Sequence, residues 1–187
     1  MSVIQLIINE HKIITNYTKL VNLIVLNLKR KDEISMEDIN FLVEFYRIYV
    51  DRHHHEVEEI IFPLLMKNNP IETEGIVELI INEHDMGGNF ITDINRLIEN
   101  GEEFLSESLE HLVSLLQRFE FSMTSHIEKE NKFLYDLIAK RIDENLDFEF
   151  SENRFNLENL NIEEGQKEFL EIRIEELMKF YKAPIYH

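Results

Sequence analysis

Apolar residues along the chain recur at spacings of three and four over long uninterrupted stretches, the period at which one face of an α-helix is buried. The first stretch runs from Val3 to Leu28 and ends in the charged segment Lys29 to Glu33. A second opens at Ser35, with Asp38 three residues on in N-cap spacing, and continues to Lys67 before Asn68, Asn69 and Pro70 stop it. Thr73 can cap a third, which reaches Glu99 ahead of Asn100 and Gly101; Ser106 can begin a fourth that extends to Ile142. Short links force consecutive long helices to be antiparallel, so the pattern predicts an all-α, up-down-up-down four-helix bundle over residues 1–142. Residues 143–187 follow as a C-terminal extension. It comprises an acidic, irregular stretch, Asn145 to Asn161, and an additional helix, Ile162 to Tyr181, read as an appendage.

The stripes are interrupted by residues that do not belong in a core. On the fourth helix, Leu112, Leu116, Phe119, Met123, His126, Glu130, Phe133 and Leu137 alternate by four and three. Ile4, Ile8, His11, Ile14, Thr18, Val21 and Val25 do the same on the first, and Val77, Ile81, His84, Gly88, Ile91 and Ile98 on the third. An imidazole or carboxylate among aliphatic side chains costs several kcal/mol unless it is paired or bound to a metal. The second helix offers two HxxxE pairs, His54/Glu58 and His55/Glu59. The stripe through His55 is mostly apolar (Phe41, Phe45, Ile48, Phe62, Met66), whereas that through His54 is charged (Glu44, Arg47, Asp51). Helical register therefore favours His55/Glu59, and a local bulge would reverse the choice.

An internal repeat supports the same centre. LIINEH occurs at Leu6–His11 and again at Leu79–His84, an offset of 73 residues, and each copy is followed at nearly equal distance by an HxxxE pair. One helix pair is thus used twice, about a pseudo-twofold axis. His11, His55, Glu59, His84, His126 and Glu130, with His54 and Glu58 as the alternative pair, make a binuclear nitrogen/oxygen site in which Glu59 and Glu130 bridge. Iron is the leading candidate, with manganese or zinc as alternatives. A single closed tetrahedral zinc would leave two of the six groups without a role.

Composition narrows the rest. Nineteen Lys+Arg against 37 Asp+Glu leave a net charge of −18, which disfavours nucleic acid and anionic membrane surfaces. The charge-free run Leu20 to Leu28 is about half the ~20 residues that a bilayer crossing needs. The start, MSVIQLIINEH, has neither a basic n-region nor a small-residue cleavage site, so a cytoplasmic address is expected. The absence of cysteine removes thiolate ligands and thiol nucleophiles.

Over residues 1–142 these features resemble the hemerythrin-like (HHE cation-binding) proteins. The likeness is carried by Glu10–His11, the run Asp51 to Pro63, His84–Asp85, and HIEKEN from His126 to Asn131. The resemblance implies a four-helix bundle with a carboxylate-bridged di-iron centre that handles dioxygen, nitric oxide or peroxide, or senses iron and oxygen. Two positions depart from the oxygen carriers: Gly88 stands where they place a second His on the third helix, and Asn131 where they place Asp on the last. The expected site therefore has one fewer His and an extra open position beside Gly88, which fits an enzyme or sensor better than reversible oxygen carriage.

The ferritin-like alternative needs ExxH on two helices, and no His here has Glu three positions before it. Three functions stay open: a small-molecule binder or sensor, a di-iron oxidoreductase acting on peroxide or nitric oxide, and a metal-free acidic interaction protein. With no flavin or nicotinamide fingerprint, turnover would need external electrons or a disproportionating substrate. His53 is read as a helix-surface residue, and His111 as structural. Glu10, Glu83 and Asp85 are read as solvated helix charge, although each adjoins a candidate ligand.

Overall fold

The computed structural model describes residues 3–68, 70–99, 106–140 and 160–182. They form α1 (Val3–Arg30), α2 (Met36–Phe45), a π-helical segment (Tyr46–His55), α3 (Glu56–Asn68), α4 (Pro70–Glu99), α5 (Ser106–Ala139) and α6 (Gln166–Lys182), with no strand among the described residues. The α2, π and α3 segments follow without a break, so together they are the long second helix that the period predicts. The expected helix end at Ile142, the stop at Gly101 and most of the acidic stretch Asn145 to Asn161 lie outside the described residues.

Local chemistry sets the boundaries. Ser35 caps α2 by accepting from the Glu37 backbone N–H at 3.1 Å. Asp38, which sequence spacing put in the same cap, instead sends its carboxylate to α6: Arg173 donates to it at 2.9 Å and the Tyr181 hydroxyl at 2.6 Å. The third helix starts at Pro70, not after a Thr73 cap, because proline fits the first turn of a helix and Thr73 is buried inside it. The last helix starts at Gln166 rather than Ile162. Gly165 breaks the run with φ at 77°, and the Gln166 side chain accepts from the Glu163 backbone N–H at 3.2 Å.

Two apolar clusters fill the bundle, and a polar layer separates them. One contains Ile14 to Leu28 of α1, most of α2, Ile91 to Ile98 of α4 and Leu112 to Ile127 of α5. The other contains Val3 to Ile8, Val57 to Leu65, Val77 and Ile80, and Phe133 to Leu137. Between them, at one level on every long helix, stand His11, His53–His55, His84, His126 and Glu130. The predicted stripes of α1 and α5 are buried throughout; on α4, Ile81 turns outward and Ile80 takes its place inside. The C-terminal helix is no loose appendage. Its Leu170, Ile174, Leu177 and Tyr181 join the first cluster, and α6 packs along α1.

Candidate metal centre

The second helix decides the centre, because its register is not α-helical where the histidines lie. In a ten-residue π-helical segment the turns are wider than in an α-helix, so consecutive residues sit closer together on one side. His53, His54 and His55 are consequently all buried, at 0, 0 and 3% exposure. The same change of register turns Glu58 inward, at 0% exposure, and leaves Glu59 outside. Of the two pairs weighed from sequence, the carboxylate at the centre is thus that of His54/Glu58, while His55 still points inward. Glu59, expected to bridge, only lines an outer cleft.

Seven side chains converge in two groups: His11, His54, Glu58 and Glu130 in one, and His55, His84 and His126 in the other. Glu58 faces both. Its Oε1 lies 3.3 Å from His54 Nε2 and 3.6 Å from His11 Nε2, and its Oε2 lies 3.3 Å from His84 Nε2. Glu130 Oε2 stands between His11 Nε2, at 3.2 Å, and His126 Nε2, at 3.3 Å. The expectation of one fewer His is corrected: although α4 has Gly88 at the departing position, His55 stacks on His84, ring centroids 3.7 Å apart and 5° from parallel. The π register supplies from the second helix the imidazole that the third lacks.

Outer contacts orient these rings. The Nδ1–H of His54 donates to Glu10 at 3.0 Å, that of His126 to Glu83 at 3.1 Å, and that of His11 to the Asn131 side-chain oxygen at 3.0 Å. Each Nε2 lone pair is then aimed inward. The Nε2 atoms of His11 and His54 face each other at 3.1 Å, so one of them carries a proton or a metal ion lies between them. Nine buried polar atoms of His55, Glu58, His84, His126 and Glu130 have no hydrogen-bond partner. Donors bound at ~2.0–2.2 Å to one metal lie roughly 3–3.5 Å from each other, the spacing found here. The residues present fit a metal centre.

The charge pattern agrees. Burial alone would push the Glu58 carboxyl up, yet His54, His11 and His84 around it hold it well below the usual range. Burial opposes protonation of His11, but Glu130 and Glu58 override it and push this imidazole up to about 10. At the other group, burial takes His55 down to about 3, the neutral form that ligates. Without a cation the two carboxylates thus draw a proton onto His11, whereas His55 stays neutral with one ring lone pair to offer.

A cleft of about 340 Å³ reaches the second group, lined by Tyr46, His55, His84 and Gly88 with the charged Arg47, Asp51, Glu59 and Asp85. The Tyr46 hydroxyl donates to the His84 carbonyl at 3.4 Å. Tyr17 is spent on the Leu42 carbonyl at 2.8 Å, Tyr135 is exposed, and the Tyr49 hydroxyl is buried without a partner.

Three readings change with these contacts. Glu10 and Glu83 are ring-orienting groups rather than solvated charge. His53 is a buried residue, bonded through Nε2 to Glu10 at 2.8 Å and through Nδ1 to the Leu160 carbonyl at 2.7 Å. Asn131 supports His11. A signal for Glu58 was present in the repeat: His54 to His126 and Glu58 to Glu130 are both 72 residues, nearer the LIINEH offset of 73 than the 71 of the other pair. A family model described as Hemerythrin HHE cation binding domain matches residues 2–147. No curated protein and no solved structure matches the chain.

Proposed function

The chain belongs to the hemerythrin HHE cation-binding family, and from that premise we propose that its bundle, with consecutive long helices antiparallel, holds two iron ions and binds or senses dioxygen, nitric oxide or peroxide. The observation that carries this reading is Glu58, fully buried, with one oxygen toward His11 and His54 and the other toward His84. A carboxylate so placed could be shared by two ions. His11 and His54 would hold one ion and His55, His84 and His126 the other, with Glu58 and Glu130 shared between them. Manganese or zinc would suit the same donors less selectively.

When bound, such a pair supplies Lewis acidity and one-electron chemistry at adjacent positions. The chain's own residues do the rest. Glu10, Glu83 and Asn131 keep the imidazole tautomers with Nε2 inward, and the two apolar clusters keep bulk water from the layer between them. The cleft beside His55, His84 and Gly88 is the approach for a small molecule. Its lining includes three carboxylates and one guanidinium, so it repels anions and admits neutral diatomics and hydrogen peroxide.

The test is metal content per chain after anaerobic purification from iron-replete cells. Close to two irons supports the reading; one zinc, or no metal, overturns it. Glu130→Leu separates it from the metal-free interaction protein, which predicts no change in metal content on that substitution. A second reading, oxidoreductase rather than binder, is favoured by the open cleft at the His55/His84 group. Multiple turnovers of peroxide by the reduced protein without added reductant would select it over stoichiometric binding.

A further inference from the structure

The repeat relates the outer contacts as well as the inner ones. Glu83, in the second LIINEH copy, accepts from His126 and pairs with Lys129, the residue just before Glu130. Glu10, in the first copy, accepts from His54 in the same way, but the residue just before Glu58 is Val57, buried in the apolar core. The second helix therefore has no lysine to match Lys129. The cation comes instead from the C-terminal helix: Lys167 Nζ donates to Glu10 Oε1 at 3.0 Å and lies 5.5 Å from the Tyr49 ring centroid. Glu10 is the more buried of the two carboxylates, at 2% side-chain exposure against 15% for Glu83, so its charge is less screened and depends more on a counter-ion.

Glu10 divides its oxygens. Oε2 takes the His54 Nδ1–H; Oε1 takes His53 Nε2 and Lys167. The segment ahead of α6 adds the Leu160 carbonyl on the far side of His53. We propose that Lys167 is a positioning residue for the His11/His54 half of the centre: by anchoring Glu10 it holds the His54 ring with Nε2 inward, which makes the C-terminal segment, beyond the matched residues 2–147, part of the centre's support. The proposal rests on the binuclear reading. It gives the two halves separate lysines, Lys167 for one and Lys129 for the other.

The experiment loads the full chain with cobalt(II) and follows its release to a chelator, together with the visible absorption of the bound ions. Lys167→Met is expected to speed one of two release phases by up to about 10-fold, the lower end of the effect of losing a direct outer partner because Lys167 acts through Glu10, and to shift part of the cobalt spectrum. Lys167→Gln carries the same expectation should the methionine variant fail to fold. Lys167→Arg restores the slow phase, and Lys129→Met accelerates the other phase. Arg173→Gln cuts the 2.9 Å bond of α6 to Asp38 but keeps Lys167, and leaves both phases unchanged. Wild-type release from Lys167→Met and Lys167→Gln overturns the proposal, as does equal acceleration by Arg173→Gln, which would mean that docking of the helix alone matters. A wild-type chain taking up fewer than two cobalt ions removes the binuclear reading and this proposal with it. Two ions bound and unmoved by Lys167 removes the proposal alone.

Discussion

Glu58 and Glu59 are neighbours in sequence with opposite fates, one at 0% exposure between two groups of imidazoles and the other on the surface. Glu58→Gln is therefore expected to lower metal content well below that of the wild type, while Glu59→Gln leaves it unchanged; elemental analysis of both proteins decides. Titration provides a second check. In the metal-free protein His11 is pushed up to about 10 from an ordinary 6.5, so its contribution to stability is complete below pH 6.5 and is lost as pH rises toward 10. His55, lowered to about 3 by burial, works on the acid side: stability falls as pH drops below 6.5, because the unfolded chain takes up a proton that the folded one refuses. The lowered Glu10 and Glu58 carboxyls add losses below pH 4.5. Unfolding temperature of the chelated protein should thus peak near pH 6.5. Metal loading at pH 7 should release protons and remove the alkaline decline, since bound His11 has no proton to lose.

Consecutive glycines on α4 do different work at the scale of the element. A Cβ at Gly87 would collide with the Tyr46 hydroxyl, whereas a Cβ at Gly88 meets nothing within 4 Å. Gly87→Ala is expected to destabilise by about 1–3 kcal/mol through overpacking against the π-helical segment. Gly88→Ala should stabilise by roughly 0.5–1 kcal/mol from helix propensity alone. Denaturant midpoints of the two variants, moving in opposite directions, would check the pair. The π-helical segment itself was not visible in the residue pattern. Its signature, three adjacent histidines all facing inward, reads in sequence as a choice between two α-helical registers. Wider turns are uncommon by themselves, and this one buries Tyr46, Tyr49 and all three histidines, with the Tyr46 ring against His55 and the Tyr49 ring against His53.

Across the whole molecule the centre joins every long helix at one level, between two apolar clusters. Removing its metal leaves buried carboxylates and imidazoles facing one another, so chelation is expected to lower the unfolding temperature as one cooperative transition. The shift should scale with the logarithm of free metal concentration. A calorimetric scan with and without chelator measures it; an unchanged temperature would mean that the metal contributes nothing to the fold. The acidic net charge of −18 bears on the same scale. No helix among the described residues is long and apolar enough to cross a membrane.

Periodicity determined by itself that the chain is helical, where the long helices lie and which stripes of α1 and α5 are buried, because a 3.6-residue repeat is a local property of consecutive residues. The same stripes placed His11, His84, His126 and Glu130 at one level, and the repeated hexapeptide paired the helices that hold them. Only the tertiary structure decided that His54 and His55 both enter the centre, with Glu58 rather than Glu59. That outcome depends on packing the second helix against three others, which selects a wider turn than its own residues announce. Likewise, nothing near Glu10 in sequence points to Lys167, 157 residues away; their 3.0 Å contact exists because the apolar face of α6 is buried along α1.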